Sequence, residues 1–230
     1  MSALAIYLER AGLTTIVIGL IKEHLQKTRP PRSLWVPFEL GRPLGGWHEQ
    51  GEFQLAVLRD ALSLLELDQT AAGETRDYQM EDPTEQPDSG WKPPVASKDS
   101  VEQEVTELKP LWGQRIESAG GTSTGVSGLA ISDAIGILQK LDENPQDFNP
   151  FTQRQGGFYQ VKLMVDDIKT YYVEAALHSG KPNSEQIGQW FWHDTAAGAL
   201  LQRLRSSNLE SDDKVRQFIC SRLLVPGKWL

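Results

Sequence analysis

Two periods of apolar and polar positions run along this chain, and the change from one to the other falls near residue 100. At the start, "SALAIYLERAG" sets Leu4, Ala5, Ile6 and Leu8 at helical spacing and ends in Gly12, a residue suited to closing a helix. "LTTIVIGL" follows at once; its β-branched run is apolar on both faces, which predicts a buried parallel strand. "IKEHLQKT" predicts a short helix stopped by Pro30 and Pro31. "SLWVPFE" predicts a second strand, with Pro37 near its end, where a missing amide donor costs least. "EFQLAVLRDALSLLEL" predicts a helix whose buried stripe is Phe53, Val57, Leu58, Leu62 and Leu65. The order helix, strand, helix, strand, helix implies a parallel sheet with right-handed crossovers. Two strands fall short of the roughly 4–6 in a usual sheet. The expectation is that a partner completes the sheet, or that the polypeptide begins later than its fold.

Further on, the period is helical throughout. "VEQEVTELKPLWGQRI" predicts a helix or helix pair broken at Pro110, and Ser132 an N-cap for "DAIGILQKL". "VKLMVDDIKTYYVEAALHSG" puts Val161, Val165, Ile168, Tyr172 and Ala175 on one face. "SEQIGQWFWHDTAAGALLQRLRS" does the same as one helix through Ile187, Phe191, Ala197 or Gly198, Leu201 and Leu204, and "DDKVRQFICSRLL" ends the series. Amphipathic helices joined by short loops argue a small antiparallel bundle. The expected fold class is therefore α/β, a partial flavodoxin-like parallel sheet in residues 1–67, plus an all-α helical bundle in residues 105–230.

Charge separates these two parts. The formal net charge is −8, yet residues 1–67 sum to zero and residues 105–230 to −1, so −7 resides in residues 68–104. That acidic, Pro-containing stretch reads as a linker, because such composition buries too little apolar surface to offset ordering entropy. No basic face remains to favour nucleic acid. No apolar run approaches the roughly 20 residues of a membrane span, and the first residues lack the pattern of a signal peptide. The single cysteine, Cys220, excludes an internal disulfide framework and fits a reducing compartment. The expected location is cytoplasmic.

Candidate chemistry gathers at "LIKEH" and "FELGRPLGG". If the two strands are parallel, His24 leaves the C-terminal end of the first, and Glu39 and Arg42 leave that of the second, where open α/β sheets bind ligands. Arg42 can grip a carboxylate through two parallel hydrogen bonds, and Gly41, Gly45 and Gly46 let backbone approach closely. His24 and Glu39 are the candidate proton-transfer groups. The plainer alternative is a turn with a solvated arginine, since no phosphate-binding fingerprint accompanies it. His193 and Asp194 in "GQWFWHDTAAG" form a second candidate, set against a core role for Trp190, Phe191 and Trp192: neighbours in a helix point about 100° apart. "SAGGTSTGVSG" is either an anion cradle ahead of a helix or a flexible connection. Cys220 reads as an inert buried thiol. No metal or nucleotide cofactor is implied.

The stretch "YLERAGLTTIVIGLIKEHLQKTRPPRSLWVPFELGRPLGG" resembles the selenoprotein B family of glycine, sarcosine, betaine and D-proline reductases, over roughly residues 2–65. Within it the chain is most similar to a short branch sharing the "PPRxLWVPFxLGRPLG" pattern, where x is any residue, and "SDAIGIL", "YYVEAA" and "WFWHDTAAG" look like that branch's helical extension. The resemblance implies reductive cleavage of a C–N bond alpha to a carboxylate, by a selenol or thiolate placed just before the first helix, with partner subunits re-reducing the site. This chain has no cysteine before residue 220. Two explanations stay open: a sequence begun downstream of its nucleophile, or a noncatalytic relative that keeps carboxylate binding.

Overall fold

The computed structural model describes residues 2–39, 41–45, 50–66, 73–81, 90–94 and 100–230. The chain divides into two units, Met1–Pro87 and Asp88–Leu230.

In the first unit, α1 (Ser2–Arg10), β1 (Val17–Gly19), α2 (Lys22–Thr28), β2 (Ser33–Trp35), α3 (Gly51–Ser63) and β3 (Thr75–Asp77) follow in that order. The sheet runs β1-β2-β3 and is parallel throughout, with Val17, Ser33 and Thr75 in register. Successive residues of a strand face opposite sides, and here each side has its own cover. Val17 and Trp35 meet Ala5 of α1 and Leu25 of α2. Ile16, Ile18, Leu34 and Val36 meet Val57 and Ala61 of α3.

Two expectations are corrected. Residues 68–104 are not a linker alone: Thr75–Asp77 supplies a third strand from within them, and Val101 already opens a helix. The acidic composition concealed the strand "TRD", whose length rests on pairing with β2 and on Tyr78 being buried. The buried stripe of α3 is also rotated. Val57, Ala61 and Leu64 are buried, whereas Leu55, Leu58, Leu62 and Leu65 are exposed. Small Ala61 sits against the sheet, and the bulkier leucines face outward.

The second unit is helical: α4 (Val101–Ala119), α5 (Ile131–Glu143), the short α6 (Asn149–Thr152), α7 (Gly157–His178), α8 (Ser184–Asp194), α9 (Ala196–Ser206) and α10 (Lys214–Arg222). One core joins them, with Val161, Val165, Ile168, Tyr172 and Ala175 of α7 at its centre, as the periodicity predicts. Three local expectations are revised. Pro110 does not break α4, which runs through it; the ring only removes one amide donor on an exposed face. The N-cap of α5 is Ala130 rather than Ser132. The helix expected over 184–206 is two helices, cornered at Thr195.

That corner has a visible cause. Thr195 is extended; its hydroxyl donates to the Phe191 carbonyl and accepts from the Gly198 amide. A methyl group at Gly198 would sit 2.1 Å from the Phe191 carbonyl oxygen, so only glycine permits this approach. The first amides of α9 are satisfied from a distance. Glu104 of α4, fully buried, accepts from Ala196 N (2.6 Å), Ala197 N (3.1 Å) and Tyr172 Oη (2.7 Å). Burial is the largest influence on this carboxyl and raises its pKa, outweighing the three donated bonds. Asp167 of α7 makes a second such staple. Its buried carboxylate accepts from the amides of Gly125, Val126 and Ser127 at 2.7, 3.0 and 2.8 Å. Burial alone would raise its pKa, but the bonds from Ser127, Val126 and Gly125 together hold it low.

Candidate functional site

The residues "FELGRPLGG" begin at the C-terminal end of β2, the end at which parallel sheets present ligand sites. The Arg42 amide donates to the Glu39 carbonyl at 3.0 Å, closing a four-residue turn with Gly41 at φ +95°. The Gly45 amide donates to the Arg42 carbonyl at 2.9 Å, closing a second, with Gly45 at φ +60°. Both glycines occupy the left-handed region that other residues avoid, so the double turn is written in their positions. Gln54 of α3 fixes it from behind, donating to the Gly45 carbonyl at 3.2 Å.

Apolar anchors hold both ends. Phe38 is buried against Phe53 and Tyr78, with ring centroids 5.7 Å away from each, and Leu44 packs into the same cluster. Phe38 and Leu44 anchor the described residues on either side, while the side chains of Glu39 and Arg42 between them stay accessible. Arg42 is 29% exposed and Glu39 22%. Arg42 Nη1 lies 3.6 Å from Glu39 Oε2, a charge pair longer than a hydrogen bond.

The predicted residues are distributed as follows. Glu39, Gly41, Arg42 and Gly45 share the double turn. Gly46 lies outside the described residues. His24 is exposed on α2, where its carbonyl accepts from the Thr28 hydroxyl, and no described hydrogen bond or ion pair joins it to Glu39 or Arg42. In the helical unit, Trp190, Phe191 and Trp192 are core residues, while His193 and Asp194 are exposed. Cys220 is fully buried, and desolvation pushes its thiol up to about 12, which keeps it protonated at neutral pH. Among the described residues no cluster of three metal-ligating side chains occurs, and no helix is long and apolar enough to cross a membrane.

One group escaped the sequence reading. Lys22, just after β1, pairs with Asp77 at the end of β3, and its ammonium lies 4.5 Å from the ring centre of Trp35 at the end of β2. All three strands thus contribute to a polar cluster at the same end of the sheet. Asp77 was hidden in the acidic stretch; the signal that could have exposed it is Gly73 followed by "ETRDY", a turn residue before a strand-length segment.

The chain was compared with protein-family models, curated proteins and solved structures, and none of them matches it.

Proposed function

We propose that the α/β unit binds a small amino-acid-like carboxylate at Arg42, within a subunit related to selenoprotein B of the glycine, betaine, sarcosine and D-proline reductases. The observation that carries this reading is the pair of backbone bonds from Arg42 to Glu39 and from Gly45 to Arg42, with Gly41 and Gly45 at positive φ, which sets a guanidinium beyond the C-terminal end of β2. The substrate carboxylate displaces Glu39 from Arg42, and Glu39 then faces the substrate's ammonium group. Reductive C–N cleavage requires a thiolate or selenolate. Cys220 is unsuited to that role, so within residues 1–230 this reading assigns carboxylate binding and not the nucleophile. Partner subunits that re-reduce the site belong to the same reading, as the resemblance implies.

A second reading, a noncatalytic assembly subunit, draws on the sheet edge. Among the described residues β1 pairs with β2 on one side only, and beside it a cavity of about 170 Å³ is lined by Leu4, Ala5, Leu8 and residues Thr15 to Ile18. Such an edge accepts an added strand.

Calorimetric titration with glycine, betaine and D-proline tests the binding claim. Arg42→Ala is expected to weaken the best ligand by about 1.5–3 kcal/mol, the scale of a lost charged hydrogen bond. Unchanged affinity in the variant would remove Arg42 from the account. C–N cleavage of the bound ligand in the presence of a dithiol and partner subunits, read as released amine for glycine and betaine and as ring opening for D-proline, supports the reductase; binding without turnover supports assembly.

A further inference from the structure

The helical unit carries a second cleft, independent of Arg42. A cavity of about 410 Å³, within the roughly 300–1,000 Å³ of small-molecule sites, opens between α4, the loop 120–130, the start of α5 and α7. Its apolar side is formed by Trp112, Tyr171 and Leu129, with the Trp112 and Tyr171 rings 5.1 Å apart and tilted by 44°. Its polar side is formed by Lys109, Thr106 and Ser132.

The charge of this cleft follows from where the nearby acids are committed. Asp167 is saturated by the three amides of Gly125 to Ser127. Glu174 is taken by Trp112 Nε1 (2.8 Å), Thr122 Oγ1 (2.7 Å) and Ser123 N (2.8 Å). Glu107 and Asp133 lie on the same helices but do not line the cavity. Lys109 has no ion-pair partner among the described residues. An unmatched cation therefore stands at a cleft beside which Asp167 and Glu174 are already occupied, with Glu107 and Asp133 outside its lining. These two staples also hold the loop in place, so the cavity exists before any ligand arrives. The α5 terminus adds to the same bias: Ala130 provides no side-chain cap, and the dipole end favours negative charge.

We propose that this cleft binds a small organic anion with a flat apolar body, its ring against Trp112 and Leu129 and its charged group on Lys109. The test is a heteronuclear NMR titration of the full chain with phenylacetate, its neutral isostere phenylacetamide, and inorganic phosphate. Phenylacetate is expected to bind saturably, with a dissociation constant of about 1 mM or tighter, and to shift the amides of Gly125, Ile131 and Ser132. Phenylacetamide and phosphate should each bind at least about tenfold more weakly, one lacking the charge and the other the apolar body. Lys109→Met, at an exposed position, should weaken phenylacetate by the same factor, and Thr106→Phe should fill the cleft and abolish binding. Arg42→Ala should leave this site untouched, which separates its failure from failure of the carboxylate site in the α/β unit. Equal binding of phenylacetamide, equal binding of phosphate, no saturation, or full binding in either cleft variant would overturn the proposal.

Discussion

The two units solve the burial problem differently. Among the described residues the helical unit gathers twenty-eight buried hydrophobic side chains into one core, whereas the α/β unit holds seven and three in separate clusters on the two faces of a short sheet. Two buried carboxylates lock the helices by taking amides far away in sequence. The α/β unit has no counterpart among its described residues; its Glu9–Arg32 and Lys22–Asp77 pairs are partly exposed. It also leaves Leu55, Leu58, Leu62 and Leu65 of one helix face in solvent. The difference teaches that the polar groups of the helical unit are mostly spent on structure, while those at the sheet's C-terminal end remain accessible to a ligand.

Glu104 is where this contrast breaks most sharply. Glu104→Ala strands two amides and a tyrosine hydroxyl in the core, and should lower stability by at least about 3 kcal/mol, from roughly 1–3 for each of the three donors left unpaired; urea titration followed by tryptophan fluorescence measures it. Next comes the Thr195 corner. Gly198→Ala forces a methyl group against the Phe191 carbonyl and should cost about 1–3 kcal/mol, seen as a fall in Tm.

A smaller effect lies in pH. The raised pKa of Glu104 means that its protonated form is favoured in the fold. Its contribution to stability is fully present below the unfolded value of about 4.3 and is lost as pH rises through the folded value. Asp167 has the opposite sign: its contribution is present above about 3.9 and lost as pH falls through its lowered folded value. Stability of the helical unit should therefore pass through a maximum in mildly acidic solution. Glu104→Gln, which cannot ionise, should flatten the decline on the alkaline side of that maximum. A decline of unchanged slope in the variant would assign it to other groups. The smallest effect belongs to the exposed stripe of α3: Leu58→Lys and Leu62→Lys should each change stability by no more than about 0.5 kcal/mol. A large loss at either would show that this face is covered in solution.

The parts legible in the sequence are those fixed by local pattern. The faces of α7 and α9, the parallel pairing of β1 with β2, the buried Cys220 and the turn at Gly41–Gly45 all follow from periodicity or from a residue with special backbone freedom. The remainder depends on partners distant in sequence. β3 is three residues long and acquires its identity by pairing with β2. The break at Thr195 needs Glu104, some ninety residues earlier, to satisfy the amides it frees. The orientation of α3 depends on which side of the helix the sheet can approach, and apolar residues at 53, 55, 57, 58, 61 and 62 give no single stripe. At the candidate site the sequence singled out Arg42 and its glycines, but not that Glu39 would pair with it, nor that Lys22 and Asp77 would bridge the sheet's end.

The most direct test of the central claim locates the ligand rather than measuring its affinity. In a residue-resolved NMR titration of the full chain with glycine, betaine and D-proline, the account predicts saturable shifts centred on the amides of Gly41, Arg42 and Gly45, with those of α7 and α9 unmoved. Saturable shifts confined to the helical unit, with the Gly41–Gly45 amides unchanged, would contradict it.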